Sequence, residues 1–374
     1  MRVGCVGALL LALSVSMTGC SDSGGSGGST GGAPTSVPPR AASPSTATAA
    51  RRFLARYVTI DGRVIRHDQG GDIVSEGQAY AMLIAQVAGQ PARVRTIWSW
   101  TSAHLGSADG LFASHASGTG QIEDPHSATD ADILIAYALL RYNGPDQAAL
   151  HRAGQDVARA VLAHETETLP NGDPLPVAGP WAMSTSPPTA NPSYLMPGVF
   201  TALARLTGDG RWQRAADAAV AAIDEMTGGG HRLPPDWAQL SSGRLAPIAN
   251  PGGGVGVQYG FDAARLPIWF ATACSAGARA IAAAWWRNIL ASGGRSGPQA
   301  LTLTGGTIDD VPSPLPMIAG AAAAIAAGDR SAARDLRARA VRLAQDDATY
   351  YGDAWVALGP ALLDGSVNPC GGTS

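Results

Sequence analysis

Residues 127–164 read SATDADILIAYALLRYNGPDQAALHRAGQDVARAVLAH. From Ile133 to Leu140 the run is apolar on every face, and a helix of that kind must be buried all round. The stretch 145–164 places Arg and Asp on one face only, the signature of a helix with one side in water. Arg-Tyr-Asn-Gly-Pro at 141–145 breaks the chain between them. One buried and one amphipathic helix, joined by a short connection, form a hairpin.

The same alternation extends in both directions. Helical windows lie near 49–58, 75–88, 91–104, 127–141, 145–164, 193–207, 209–227, 262–274, 276–292, 313–328, 329–346 and 349–364. Those near 75–88, 127–141, 193–207, 313–328 and 349–364 are apolar nearly all round. Those near 145–164, 209–227 and 329–346 have charged faces, as with Arg211, Arg214, Asp217 and Asp224. Twelve helices, outer and inner by turns, predict an all-α (α/α)6 barrel over 50–366, six inner and six outer. Strand signals after residue 50 are few. Parallel inner helices would gather Glu76, Asp130, Tyr194, Asp262, Ser313 and Tyr350 on one rim. The Gly/Pro-rich loops 105–126, 165–192 and 228–260 would wall a cleft there, a shape suited to an extended polymer.

The 374 residues are 45% hydrophobic and 15% charged, with a net charge of −3. That excludes a disordered acidic chain and gives no basic face for nucleic acid. Residues 1–19 carry Arg2 and a short apolar run from Val6 to Val15, as a secretory signal does. Met17-Thr18-Gly19-Cys20 resembles a lipobox, so Cys20 is expected to be lipidated, with ordinary signal cleavage nearby as the alternative. From Ser21 to Ala50, 27 of 30 residues are Gly, Ser, Thr, Ala or Pro, which predicts an unfolded tether over 20–49. Residues 367–374 are expected to be a tail. The protein should therefore be extracytoplasmic, held on the membrane by its lipid alone or secreted. Cys274 and Cys370 can form one disulfide or remain thiols. The seven His and four Cys show no metal-ligand spacing, so neither metal nor other cofactor is expected.

Three helix starts carry the acids. Ser75-Glu76-Gly77-Gln78 has capping-box spacing. Glu76 then either complements the helix dipole or acts as an acid whose pKa is pushed up by burial or by a nearby carboxylate. Gly77 costs about 1 kcal/mol against Ala in a helix and predicts close approach of another backbone or a ligand. Asp130 stands in a similar spacing after Ser127. Asp262 is either the N-cap of its helix or one partner of an ion pair with Arg265, three residues on.

The strings VSEGQAYAMLIA (74–85), SATDADILIAYALL (127–140), NPSYLMPGVFTAL (191–203), PPDWA (234–238), GFDAARLP (260–267) and TYYGDAWVAL (349–358) occur in the order seen in glycoside hydrolase family 8, which the chain resembles over roughly 50–365. The resemblance implies an (α/α)6 barrel that cleaves β-1,4-glucan internally with inversion, in a family that also holds xylanases, chitosanases and mixed-linkage glucanases. It implies Glu76 as general acid, Asp262 as general base and Asp130 as the acid that holds and distorts the sugar. Tyr194 would position the base and its water, and Arg265 would sit beside the base. Two departures stand out. Phe261 occupies a position commonly Tyr, and Ala113-Ser114-His115 follows Leu111-Phe112 where a stacking Trp is common. Trp181, Trp237, Tyr259 and Tyr350 are the aromatics placed to stack on sugar instead. Trp98, Trp100, Trp212, Trp269, Trp285, Trp286 and Trp355 read as core. Other β-glycans, or glycan binding without catalysis, are the competing readings.

Overall fold

Each apolar window is followed by an amphipathic one, and the chain folds them as consecutive hairpins. A computed structural model of the protein describes residues 41–370. The expected signal peptide 1–19, the lipidation site Cys20, the tether as far as residue 40 and tail residues 371–374 lie outside the described residues.

Twelve helices form the body: α1 (Pro44–Tyr57), α2 (Ser75–Val87), α3 (Pro91–His104), α4 (Thr129–Leu140), α5 (Gln147–His164), α6 (Pro197–Thr207), α7 (Arg211–Thr227), α8 (Leu266–Ala271), α9 (Ala276–Trp285), α10 (Pro314–Ala326), α11 (Arg330–Asp346) and α12 (Tyr350–Leu363). A four-residue helix, Pro180–Met183, lies between α5 and α6. Every residue of α4 is buried, whereas α11 buries only Ala333, Leu336, Ala340 and Ala344. The even-numbered helices pack in sequence, α2 on α4, α4 on α6 and onward, and α12 closes the ring on α2. The expected (α/α)6 barrel is the observed fold.

Three features differ from expectation. The folded body begins at Pro44, not residue 50. Ser43 caps α1 by accepting from the Thr46 amide, and Pro44 fills the first helical position. A composition that reads as tether thus contains a helix start, and Ala49, Ala50, Phe53 and Leu54 are buried against the body. At the other end, residues 367–370 belong to the body. Val367 is fully buried, its carbonyl accepts from Tyr137 Oη at 3.0 Å, and Cys370 forms a disulfide with Cys274.

The loops ahead of the inner helices are the third difference. They hold β1 (Ile73–Val74), β2 (Ala113–Ala116), β3 (Ile122–Ser127), β4 (Thr166–Thr168), β5 (Pro174–Pro176), β6 (Thr189–Ala190), β7 (Trp237–Ser241), β8 (Arg244–Ile248), β9 (Pro298–Leu301) and β10 (Thr307–Pro312). These form two three-stranded and two two-stranded antiparallel sheets, β1-β2-β3, β6-β7-β8, β4-β5 and β9-β10. With two to six residues per strand and Pro or Gly at many ends, their alternation is too short to show in the sequence. They sit ahead of inner-helix starts and stiffen the rim.

Candidate active site

Four inner-helix starts converge on one guanidinium. Arg265, only 3% exposed, donates through Nη2 to Asp262 Oδ1 (2.6 Å) and to Ser193 Oγ (2.6 Å). Through Nη1 it donates to Asp130 Oδ2 (2.7 Å), to Tyr80 Oη (3.2 Å) and to Glu76 Oε1. The guanidinium also lies over the Tyr194 ring, 5.5 Å from its centre. Glu76, Asp130, Asp262, Arg265 and Tyr194, separated by up to 189 residues in sequence, thus meet in one constellation. The expected Asp262–Arg265 pair is present, but Arg265 serves all three acids and not Asp262 alone.

The local reasons differ from those read off the motifs. Ser75 is the first residue of α2 and makes no cap; its Oγ is buried without a partner. Gln78 is withdrawn from any capping box because its side chain accepts from the Val64 amide (2.7 Å) and donates to Gly62 O (3.0 Å) and Thr101 Oγ1 (2.8 Å). Ser127 likewise caps nothing and donates to Glu165 Oε1 at 2.6 Å. Asp262 stands at the N-cap position, but its side chain makes no capping bond. The amides at that helix start, of Gly260 and Ala263, go to Asp236 Oδ1, both at 2.9 Å. Gly77 makes room for a side chain, not a backbone or ligand: a Cβ there would lie 2.6 Å from Tyr350 Oη.

Exposure divides the three acids. The side chains of Glu76 and Asp262 keep 19% and 33% of their surface, and that of Asp130 keeps 5%. Burial pushes Asp130 up to about 7, against the pull of Arg265 and with the push of Glu76. Three carboxylates around one cation would leave two uncompensated charges, so the cluster retains a proton near neutrality. That proton belongs to the group as a whole. Tyr80, held protonated by burial and by the charge of Glu76, donates to Glu76 Oε1 at 2.9 Å. Oε1 therefore takes both of the bonds Glu76 makes to described residues, which leaves Oε2 without one. Asp262 is engaged through Oδ1, which leaves Oδ2 to face water.

Behind Asp130 lies a second acid pair. Asp132 and Glu165 are both fully buried, and the charge of Glu165 raises the demand of Asp132 for a proton. Burial pushes Glu165 up to about 7 and Asp132 well above its ordinary value.

The aromatics divide as well. Trp181 and Trp237 are half-buried around a small apolar cluster with Val177, Ala178, Ala182 and Tyr194, and each keeps a face open. Tyr259 and Tyr350, expected to stack on sugar, are 2% and 1% exposed. Tyr259 is bridged through its backbone to Leu301, and Tyr350 packs edge-on to Tyr57 and against Phe53. Both rings lie in the core. In their place Phe261, 39% exposed, meets Tyr351 edge-on at 5.8 Å between centres. Of the expected core Trp, all but the half-buried Trp98 are buried. The reading of the sequence passed over Tyr80, Ser193, Asp236 and Tyr351 as site residues. Only N-P-S-Y, P-P-D-W and T-Y-Y flagged three of them, and nothing marked Tyr80 among its apolar neighbours.

Where a stacking ring was missing, His115 Nε2 donates to Asp72 Oδ2 (2.8 Å) and its Nδ1 lies 3.4 Å from Glu123 Oε2, with Arg66 also on Asp72. Its strand partner is Val74, two residues before Glu76, so a charged cluster borders the acid.

Comparison with known proteins places this arrangement. The family model for glycosyl hydrolases family 8 matches residues 40–361. A probable endoglucanase of Novacetimonas hansenii is 33% identical over 231 residues, 58% of this chain and 64% of that protein. An endoglucanase of Cellulomonas uda is 29% identical over 229 residues, 59% of this chain and 62% of that one. The matched region is thus just under two thirds of these relatives' length. Among solved structures, the endo-β-1,4-glucanase CMCax of Acetobacter xylinum superposes with a TM-score of 0.71 at 25% identity, covering 86% of this chain and 98% of that one. A β-1,3-1,4-glucanase of Paenibacillus sp. X4 shares the fold, with a TM-score of 0.75 at 21% identity.

Proposed function

The chain belongs to glycosyl hydrolase family 8, and on that premise we propose that it hydrolyses a β-1,4-linked glucan within the chain, with inversion at the anomeric carbon. Glu76 is the general acid, Asp262 the general base, and Asp130 holds the sugar between them. The observation that carries this reading is the shared Arg265. It fixes one oxygen of Glu76 and one of Asp262 and leaves the other oxygen of each free, on the two acids that keep solvent access. Inverting hydrolysis needs one carboxyl that protonates the leaving oxygen and one carboxylate that activates water on the opposite face. The proton retained by the three-acid cluster supplies the first, and the Oδ2 of Asp262 supplies the second. Trp181, Trp237, Phe261 and Tyr351 offer the aromatic faces for sugar.

A second β-glycan remains the competing substrate, because the imidazole of His115 and the carboxylates of Asp72 and Glu123 stand where an apolar platform was expected beside Glu76. We also carry forward the lipid anchor at Cys20, supported by Met17-Thr18-Gly19-Cys20. No helix among the described residues is long and apolar enough to cross a membrane. Mass spectrometry of the mature N-terminus tests that anchor.

Glu76→Gln and Asp262→Asn are each expected to lower kcat by about 10²–10⁴ while circular dichroism stays unchanged. The assay is reducing-end release from carboxymethyl cellulose, lichenan, xylan and chitosan, with product anomers followed by NMR. Wild-type turnover in either variant would remove the assignment, and retained anomeric configuration would remove inversion. Binding without release by the wild type would favour a non-catalytic role.

A further inference from the structure

Asp236 is a half-buried acid beside the site that the reaction above does not use. It stands in the Pro234-Pro235-Asp236-Trp237 stretch, where β7 begins, and reaches across to the segment that carries Asp262. Its Oδ1 accepts from the amides of Gly260 and Ala263, both at 2.9 Å. Its Oδ2 accepts from Gln258 Nε2 at 3.1 Å, and its own amide donates to Gln258 O at 2.9 Å. The two clamped amides flank Asp262 on either side. A Cβ at Gly260 would collide with the Asp236 carboxylate, so this close approach requires glycine.

A helix start leaves amides that need an acceptor, and an Asp at the boundary ordinarily supplies it with its own carboxylate. Here the boundary Asp is Asp262, and it makes no such bond. We infer that Asp236 is the positioning residue of the base: it caps the helix start from outside, so that the carboxylate of Asp262 is left for Arg265 and for water. The inference rests on Asp262 being the base. The titratable groups facing Asp236 are Asp262 and Tyr259. Burial, and then the charge of Asp262, raise Asp236 to about 6, so the ionised clamp is complete above that pH and weakens below it.

Asp236→Ala removes the clamp, whereas Asp236→Asn keeps it. The Asn carbonyl can still accept both amides, and Gln258 can turn its own amide over to meet the new NH₂. Two readouts are needed, on the mature chain. In the first, kcat and KM are measured between pH 4.5 and 8. Asp236→Ala is expected to lose 10- to 100-fold in kcat with KM within about threefold. Asp236→Asn is expected to keep most of kcat and to lose any acid limb centred near pH 6. In the second, hydrogen exchange of the 258–266 segment is followed by mass spectrometry, which needs no substrate. Exchange at Gly260 and Ala263 should accelerate in Asp236→Ala and stay near wild type in Asp236→Asn. Unchanged exchange in Asp236→Ala would overturn the clamp. So would an Asp236→Asn variant as inactive as Asp262→Asn, which would make Asp236 a proton-transfer group. If the wild type is inert on every glycan tried while exchange behaves as expected, the clamp stands and the proposed hydrolase reading fails.

Discussion

Buried acids are costly unless they are paired or neutral, and the pair behind Asp130 shows which applies. Both oxygens of Asp132, Oε2 of Glu165 and Oγ1 of Thr129 lack partners if both acids are ionised. One proton shared between the carboxyls satisfies two of these atoms and removes a charge. Ser127 and Thr129 lie just before Asp130 and against the same pair, so its state bears on where Asp130 sits. The folded chain holds a proton that the unfolded chain releases near pH 4. Stability from this pair is therefore complete below about pH 4 and is lost as pH rises through about 7. Glu165→Gln supplies a permanent donor in place of that proton. It is expected to flatten the fall in stability between pH 4.5 and 8, worth roughly 2–4 kcal/mol in the wild type. Thermal unfolding across that range checks it, and parallel curves for the two proteins would exclude the shared proton. In the sequence, Asp132 was visible only as a second acid at a helix start. Its partner, 33 residues away, was not, because nothing local requires an acid at 165.

Helix α2 meets α12 through Gly77 and Tyr350, a contact of two elements at opposite ends of the ring. Gly77→Ala adds a Cβ that Tyr350 Oη must yield to, an overpacking expected to cost about 1–3 kcal/mol. Tyr350→Phe removes a hydroxyl that is buried without a partner, and is expected to be near neutral. It also opens the space, since the next Tyr350 atom stands at an ordinary 3.4 Å from the added Cβ. The double variant should therefore recover most of the loss. A cycle of chemical denaturation measurements decides it, and an equal cost of Gly77→Ala in both backgrounds would refute the contact. The odd glycine was legible in the sequence as a close approach, but its neighbour was not, because the two lie 273 positions apart. The helices themselves were legible, since apolar runs such as Ile133–Leu140 leave little choice. The rim strands were not. Their pairing depends on partners such as Ile73 with Ala116, which α2 and α3 separate in the chain. The start of α1 was missed for the opposite reason: Ser43-Pro44 is a start signal, but Ser, Thr and Ala around it carry no apolar period.

Ring closure is what the chain must achieve as a whole, and two features hold it shut. One is α12 against α1 and α2, where the buried Asp353 takes Arg52 (2.9 Å), Arg56 (2.7 Å) and Tyr57 Oη (3.2 Å). The other is the last described segment. Arg141 donates to Ser366 O (3.0 Å), Tyr137 to Val367 O (3.0 Å), and Arg205 to Pro369 O (3.4 Å), so the segment runs along α4 and α6. It then joins Cys370 to Cys274, just past the end of α8. The alternation of apolar and amphipathic helices foretold the ring, but two cysteines 96 residues apart gave no indication of distance, and the pairing had to come from the fold. A crosslink across that separation restricts the unfolded chain by about 4–5 kcal/mol in the chain-entropy account. Replacing both cysteines by Ser should lower stability by up to that amount and free the segment from α6 first. Its bonds to α4 and α6 are few and end in main-chain carbonyls. The same loss should follow reduction of the wild type, measured as the drop in melting temperature with and without dithiothreitol. The double variant should show no further drop on reduction. Equal melting temperatures for oxidised and reduced wild type would mean that the helix hairpins close the ring without the strap.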